Sequence, residues 1–387
     1  MIDTYTAYTH EVDNPSAAVA DILNQINIAN LKKHTVGIVS CFAEYISSGV
    51  WEALCKALPF DVVGTTTIEN MTSGEIGESM LALMVLTSED VTFALTLSEP
   101  VAEEDELALR ALHQQVSENF PEKPALMMSF APLLTNFGSD FYVEHMTEIF
   151  GNVPHFGTLA VDHNPDYRDS RVLLNGEAFP DRISVLFFYG PVEPLFFIGS
   201  ISDDKVFEEK GIVTSTSGNH LQTVNEMPAI EFLQSMGLSK NKEGGITGIN
   251  SFPIIVDYND GSVPVARAMF AVTPEGYAVC GGNIPVGSTL SIGFFDSEEI
   301  LETTGRTLEK ASQWADRKSM LIYSCIGRYF SQGYDPMAEF QKIHAFIEPK
   351  GITYMAAYSG GELCPVYGKD GQTVNRNHNN TFVICVF

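Results

Sequence analysis

The feature that most constrains this chain is internal self-similarity. An apolar run, Val36–Cys41, is followed by helical spacing over Ser47–Leu58 and then by Asp61–Thr67, which closes on Gly64, Thr65, Thr66 and Thr67. A Gly-containing loop leads to Met80–Leu86, which reads as one arm of a hairpin with Val91–Leu97. The order recurs: strand Ala125–Phe130, helix Gly138–Phe150, strand His155–Ala160 with Gly157-Thr158, then hairpin Ile183–Phe188 with Leu195–Ile198. Repetition at this scale means one supersecondary unit copied, each copy burying its apolar face against the next. A third copy reads as strand Ser319–Cys325, a helix opening at Asp335-Pro336 with Phe340, Ile343, His344 and Ile347 on one face, strand Gly351–Tyr358, and closing strand Thr381–Phe387.

A strand–helix–strand crossover makes its two strands parallel, and the hairpin after it adds antiparallel ones. The expected fold is therefore α/β: repeated β-α-β-β units in mixed sheets flanked by helices. The length, 387 residues, exceeds what one core usually spans. Two domains are expected, 1–221 (repeats near 31–100 and 124–200) and 222–387. Between copies two and three lie short strands (Ile254–Val256, Ala266–Val272, Tyr277–Cys280, Thr289–Phe294) and a helix from Asp296 to about Arg317. Asn14-Pro15 opens an N-terminal helix.

The charge balance narrows the partners. With 22 basic against 49 acidic residues the net charge is −27, which repels nucleic acid and anionic lipid. Acids at Glu103, Glu104, Asp105 and Glu106 and at Asp296, Glu298 and Glu299 suit the first turns of helices. Met1–His10 has neither a basic nor an apolar leader segment, and no apolar run is long enough to span a membrane. Six scattered cysteines without C-x-x-C fit a reducing compartment. A cytoplasmic protein without membrane insertion is expected.

In mixed sheets of this kind ligands sit beyond the carboxyl ends of the parallel strands. That directs attention to Thr65, Gly157, Asp162, Cys325 and Glu362, with Arg328, His378 and Asn379 beside them. An Arg and a Glu at neighbouring strand ends suit a zwitterion, the Arg clamping a carboxylate and the Glu an ammonium; the same two residues equally suit an internal ion pair. Cys325, His378 and Asn379 are the residue types of a Cys–His–Asn hydrolase, but no nucleophile signature surrounds Cys325. His155, Asp162, His163, Asp166 and Asp169 contain metal-ligand types at spacings that match no zinc or calcium motif. His344 and His378 are candidate axial haem ligands. Gly244-Gly245 and Gly281-Gly282 form no dinucleotide or phosphate loop. The Gly-Thr turns are as well suited to packing as to cradling an anion.

Several stretches resemble the FIST family of intracellular sensory modules. Pro154–Asp162 is similar to its "FGGLA-x-D" segment, with Thr158 where a second Gly is common. Val213–Leu233 resembles the join between the family's N- and C-terminal halves. Ser324-Cys325-Ile326-Gly327-Arg328 is similar to "C-x-G-R", Gly361-Glu362-Leu363-Cys364-Pro365 to "GE-[IL]-x-P", and His378-Asn379-Asn380-Thr381 to "HN-x-T". Tyr358-Ser359-Gly360 departs from the more aromatic approach to the GE motif. The resemblance spans about Leu31 to Phe387. It implies a small-ligand sensor rather than an enzyme, with a ligand such as an amino acid or related metabolite. Output would pass to a partner such as a histidine kinase or a cyclic-dinucleotide enzyme, and no cofactor is expected. It also carries the haem alternative, since some members sense nitric oxide through haem.

Overall fold

The computed structural model describes residues 1–77, 79–101, 106–133, 138–164, 166–239, 246–314, 319–368 and 371–387. Glu103, Glu104, Asp105, Pro165, Gly244, Gly245 and Arg317 lie outside the described residues.

Three units share one plan. In the first, strand His34–Cys41 crosses through helices Glu44–Ser47 and Val50–Ala57 to the parallel strand Asp61–Thr66. In the second, Leu126–Pro132 crosses through Asp140–Phe150 to His155–Ala160. In the third, Ser319–Cys325 crosses through Ile326–Ser331 and Ala338–Ile347 to Thr353–Ser359. The third crossover therefore holds two helices where the sequence indicated one. Asp335 closes a turn by accepting from the Met337 amide (3.3 Å), and the second helix begins at Ala338.

Each unit continues with a short hairpin and a return strand, and the hairpin joins a neighbour's sheet. Hairpin Asn70–Thr72/Glu75–Gly77 pairs with the third unit, Val172–Leu174/Glu177–Phe179 with the first, and Glu362–Tyr367/Thr373–His378 with the second. Outgoing strands are exchanged as well. Thr92–Leu97 pairs with return strand Ser184–Tyr189, and Leu195–Gly199 with return strand Phe382–Val386. The N-terminal strand Asp3–Thr9, which the sequence reading passed over, completes the cycle against Leu81–Ser88. Three six-stranded sheets result, each mixed; one joins two units with the N-terminal strand, and each of the other two draws strands from all three units.

Both faces of every sheet are buried, so the central strands read as unbroken apolar runs rather than alternating ones. One core draws Ile38 and Met84, Met128 and Leu186, and Leu321 and Tyr323 from the three sheets together. The outer faces are covered by helices: Ile22 and Leu54 over Val39 and Leu83, Leu112 and Met146 over Met127 and Phe187, Leu308 and Ile343 over Met320 and Ile322. Asn14 and Asp296 cap their helices by accepting from Ala17 and Glu299 amides. Residues between Gly211 and Ile292 form a further sheet with its own core around Val256, Leu233 and Leu290.

Gly64 and Gly157 occupy matching places in the parallel pairs. A Cβ on either would overlap the carbonyl oxygen of the strand beside it, Val39 or Ser129. Only glycine permits that approach, which is the physical content of the repeated Gly-Thr sequence. No helix among the described residues is long and apolar enough to cross a membrane.

Candidate ligand-binding site

The third unit's parallel strands end together, Cys325 in register with Ser359. Past that point the chain turns tightly. Ser359 Oγ donates to Gly361 O (2.6 Å) and accepts from Thr158 Oγ1 (2.8 Å) of the second unit. The turn delivers Glu362 opposite Thr158. On the other flank the Cys325 amide donates to Thr381 O (2.9 Å), so the Asn379-Asn380-Thr381 segment lies against the same strand end.

Beyond Cys325 is a cavity of about 180 Å³. Cys325, Gly327, Asn379 and Asn380 line it from the three-sheet body, and Asn250, Ala268, Met269 and Phe270 from the middle sheet region, with Tyr167 and Gly360 completing it. It sits where the body meets the middle region, beyond carboxyl ends of parallel strands. Its volume is below the ~300–1,000 Å³ of drug-sized sites, which suits a small metabolite.

Behind the lining, buried polar groups keep bonding capacity unused among the described residues. Glu362 is inaccessible; its Oε2 accepts from Thr381 Oγ1 (2.7 Å) and its Oε1 has no partner among the described residues. Burial pushes its carboxyl well above the usual range, against the pull of the Thr381 hydroxyl and the Arg328 charge. Burial likewise raises the Cys325 thiol far above its ordinary value, with the Glu362 charge adding to it and the backbone amides of Gly327 and Asn380 opposing. Asp162, after the second unit's strand, accepts from the Asn164 amide through Oδ1, while Oδ2 has no partner among the described residues. It lies close enough to raise Tyr167, whose pKa is pushed up to about 12, first by burial and then by the charges of Cys325 and Asp162.

Arg328 differs from its expected role. Its guanidinium is fully buried and committed to Glu339: Nε and Nη2 donate to Glu339 Oε1 at 2.9 and 2.7 Å. Nη2 also donates to Thr304 Oγ1 (2.7 Å) and Ile300 O (3.0 Å). The ion pair is therefore Arg328–Glu339 and not Arg328–Glu362, because the crossover helix Ala338–Ile347 carries a buried acid over the strand end. Among the described residues Nη1 of Arg328 has no partner.

The other expected residues scatter. Asn379 reaches the cavity and ties it to the middle region, its Oδ1 accepting from the Ala268 amide (3.3 Å). His378 does not join Cys325. Its Nε2 bonds Cys364 O (2.9 Å), and burial lowers its pKa to about 3. No Cys–His–Asn array is assembled, and a buried, protonated Cys325 is a poor nucleophile. Thr65 is buried between Ser40 and Val172 in the first sheet, away from the cavity lining. Gly157 acts through strand approach.

The metal-type residues do not converge. His155 is core, with Nε2 against Ser129 Oγ (2.6 Å) and a pKa lowered by burial to about 4. His163 packs edge-on to Phe42, and Asp169 accepts from Asn164. The trio among the described residues with ligating atoms close together is Glu106, His145 and Glu148, where Arg110 already neutralises Glu106. Of the two candidate haem ligands, His344 is partly exposed and holds Tyr354 OH through Nδ1 (2.8 Å), while His378 lines a separate cavity of about 780 Å³ beside the middle sheet region with its Nε2 against Cys364 O (2.9 Å).

Tyr167, Ala268–Phe270, Asn380 and Thr381 had no assigned role in the sequence reading. Asn380 and Thr381 fall within the His378–Thr381 run, whereas Ala268–Phe270 lie inside Ala266–Val272, expected as one strand and divided at Ala268 in the structure.

The FIST N domain model matches residues 35–227 and the FIST C domain model residues 229–365. No curated protein matches. Among solved structures, a cyanuric acid hydrolase from A. caulinodans is similar at 10% identity and a TM-score of 0.38, covering 100% of this chain and 98% of that one. Likeness at that level carries no argument about chemistry.

Proposed function

Since the chain belongs to the FIST family of sensory, small-ligand-binding domains, we propose that it senses a small metabolite in the cavity beside Cys325. The observation that carries this is the cavity itself, which lies beyond the carboxyl end of the Cys325 strand and brings the polar side chains of Cys325, Asn250, Asn379 and Asn380 together with apolar ones. Because the cavity lies between Asn379 on the body and Ala268 on the middle region, occupancy bears on how those two parts pack, which is what a sensor requires.

The reading is of a binder and not an enzyme, since burial holds the Cys325 thiol protonated and His378 is engaged with Cys364 O instead of Cys325. The ligand class is an amino acid or a related metabolite. The signal passes in the cytoplasm to a protein partner such as a histidine kinase or a cyclic-dinucleotide enzyme. The test is a thermal-shift panel of amino acids, amines, nucleotides, sugars and haemin. A ligand at a hundredfold its Kd adds about 2.7 kcal/mol. One responding class of small metabolite supports the reading; a flat panel with cooperative melting rejects it.

A further inference from the structure

The lining of the Cys325 cavity carries no charge: among the described residues no Asp, Glu, Lys, Arg or His belongs to it. Its titratable side chains keep their protons at neutral pH, since burial raises the Cys325 thiol far above its ordinary value and pushes Tyr167 up to about 12. The same molecule supplies the contrast. Asp203, Glu208, Asp257, Lys210 and Lys310 line the separate cavity of about 780 Å³. A charged group brought into the Cys325 cavity loses water and meets no counter-charge, which is unfavourable.

One lining side chain is free to pair with a neutral ligand. Asn380 is 3% exposed, lines the cavity, and its carboxamide has no hydrogen-bond partner among the described residues. The neighbouring Asn379 is already engaged, with Oδ1 accepting from the Ala268 amide (3.3 Å) and Nδ2 donating to His378 O (3.0 Å). Two features hold the Asn380 carboxamide in place. Its backbone is left-handed, with φ 55°, which Asn tolerates better than most residues. Gly327 lies against it, where a Cβ would come within 2.0 Å of Asn380 Oδ1. A carboxamide holds a donor and an acceptor side by side, and leaving both unused when buried is costly. A void of about 150 Å³ holds benzene, so one of about 180 Å³ admits roughly five to ten non-hydrogen atoms.

We propose that the ligand of this cavity is a small uncharged molecule with an N–H and a C=O side by side, as in a carboxamide, paired to the side chain of Asn380. This rests on the sensory reading above and narrows its ligand class. A free amino acid brings two charges that the lining does not match. A carboxamide pairs with Asn380 through two hydrogen bonds and leaves its hydrocarbon part to Met269, Phe270 and Phe330.

The test uses the full chain with three matched sets: butyramide, butyrate and butylamine; 3-methylbutanamide, 3-methylbutanoate and 3-methylbutylamine; benzamide, benzoate and benzylamine. Thermal shift ranks them and calorimetry gives Kd. At least one carboxamide should bind about tenfold or more tightly than both of its charged counterparts, and Asn380→Gly, which keeps the left-handed backbone, should weaken it at least about tenfold. If Asn380→Gly does not fold, Asn380→Asp takes its place: it keeps the shape, its carboxylate cannot donate to the ligand carbonyl, and the carboxamide should weaken by a similar factor. A carboxylate or amine binding as tightly as its carboxamide overturns the proposal while leaving the sensory reading intact. So does a carboxamide that binds the folded Asn380 variant unchanged, and so does a response confined to amino acids, sugars or nucleotides. A flat response to every compound rejects both.

Discussion

The Arg328–Glu339 pair sets up a quantitative prediction. Both side chains are fully buried, and Glu339 also accepts from Thr304 Oγ1 (2.6 Å) and Ser324 Oγ (2.7 Å). Glu339→Gln removes the charge that balances Arg328 while preserving shape. Breaking one side of a buried pair costs about 3–5 kcal/mol, because the remaining ion is uncompensated. Arg328→Met strands the opposite charge and should cost a similar amount. The double variant strands neither, so its loss should fall short of the sum by about 2 kcal/mol or more. Arg328→Met combined with Glu362→Gln should instead be additive to within about 1 kcal/mol, since burial favours the protonated Glu362 and no hydrogen bond joins the two. Urea unfolding followed by far-UV circular dichroism, with m checked for each variant, gives the four-way comparison. A larger coupling between positions 328 and 362 than between 328 and 339 would refute the assignment of partners.

Three further outcomes follow from the same structure. Gly157→Ala should destabilise by about 1–3 kcal/mol in the same unfolding assay, since its Cβ overlaps the Ser129 carbonyl; a change below a few tenths would show the strands can separate freely. His155 and His378 are held neutral, with folded pKa values of about 4 and 3. The unfolded chain binds their protons first, so stability is fully present above about 6.5 and falls as pH drops toward those values, by about 3 and about 5 kcal/mol. His378→Gln should flatten unfolding free energy against pH between 7 and 4, and curves parallel to the parent would contradict this. Finally, Cys325 should resist iodoacetamide at neutral pH in the native protein and react in urea, whereas rapid native labelling would revive the nucleophile.

The repeat was legible because burial on both faces writes itself into composition. Leu81–Ser88 and Leu126–Pro132 are buried at every position, and the sequence shows them as continuous apolar runs. The exchange of hairpins between units was not legible. Asn70–Thr72 and Val172–Leu174 are three residues each, and their pairing is chosen by tertiary contact rather than local pattern. Asp3–Thr9 escaped notice because it is an edge strand with only two fully buried residues.

At the site, the strand-end rule points to Cys325, which lines the cavity, and to Glu362, which is buried behind it. It could not choose Arg328's partner. Glu339, on a helix face, looked like any solvated acid, and only the packing of that helix over the Ser324 strand end buries it. The Ala268–Phe270 lining was invisible for a related reason: it comes from a separate core and meets Cys325 only in three dimensions.

The central claim, that ligand occupies the cavity beside Cys325, is tested most directly by filling that cavity. Ala268 lines it and is not fully buried, so Ala268→Phe places a ring in the void with little strain on either core. Thermal shift of the parent and of this variant against the same metabolite panel is the measurement. The account predicts a variant that melts cooperatively and shows none of the parent's ligand-induced shift. An unchanged shift in Ala268→Phe would place the ligand elsewhere and contradict it.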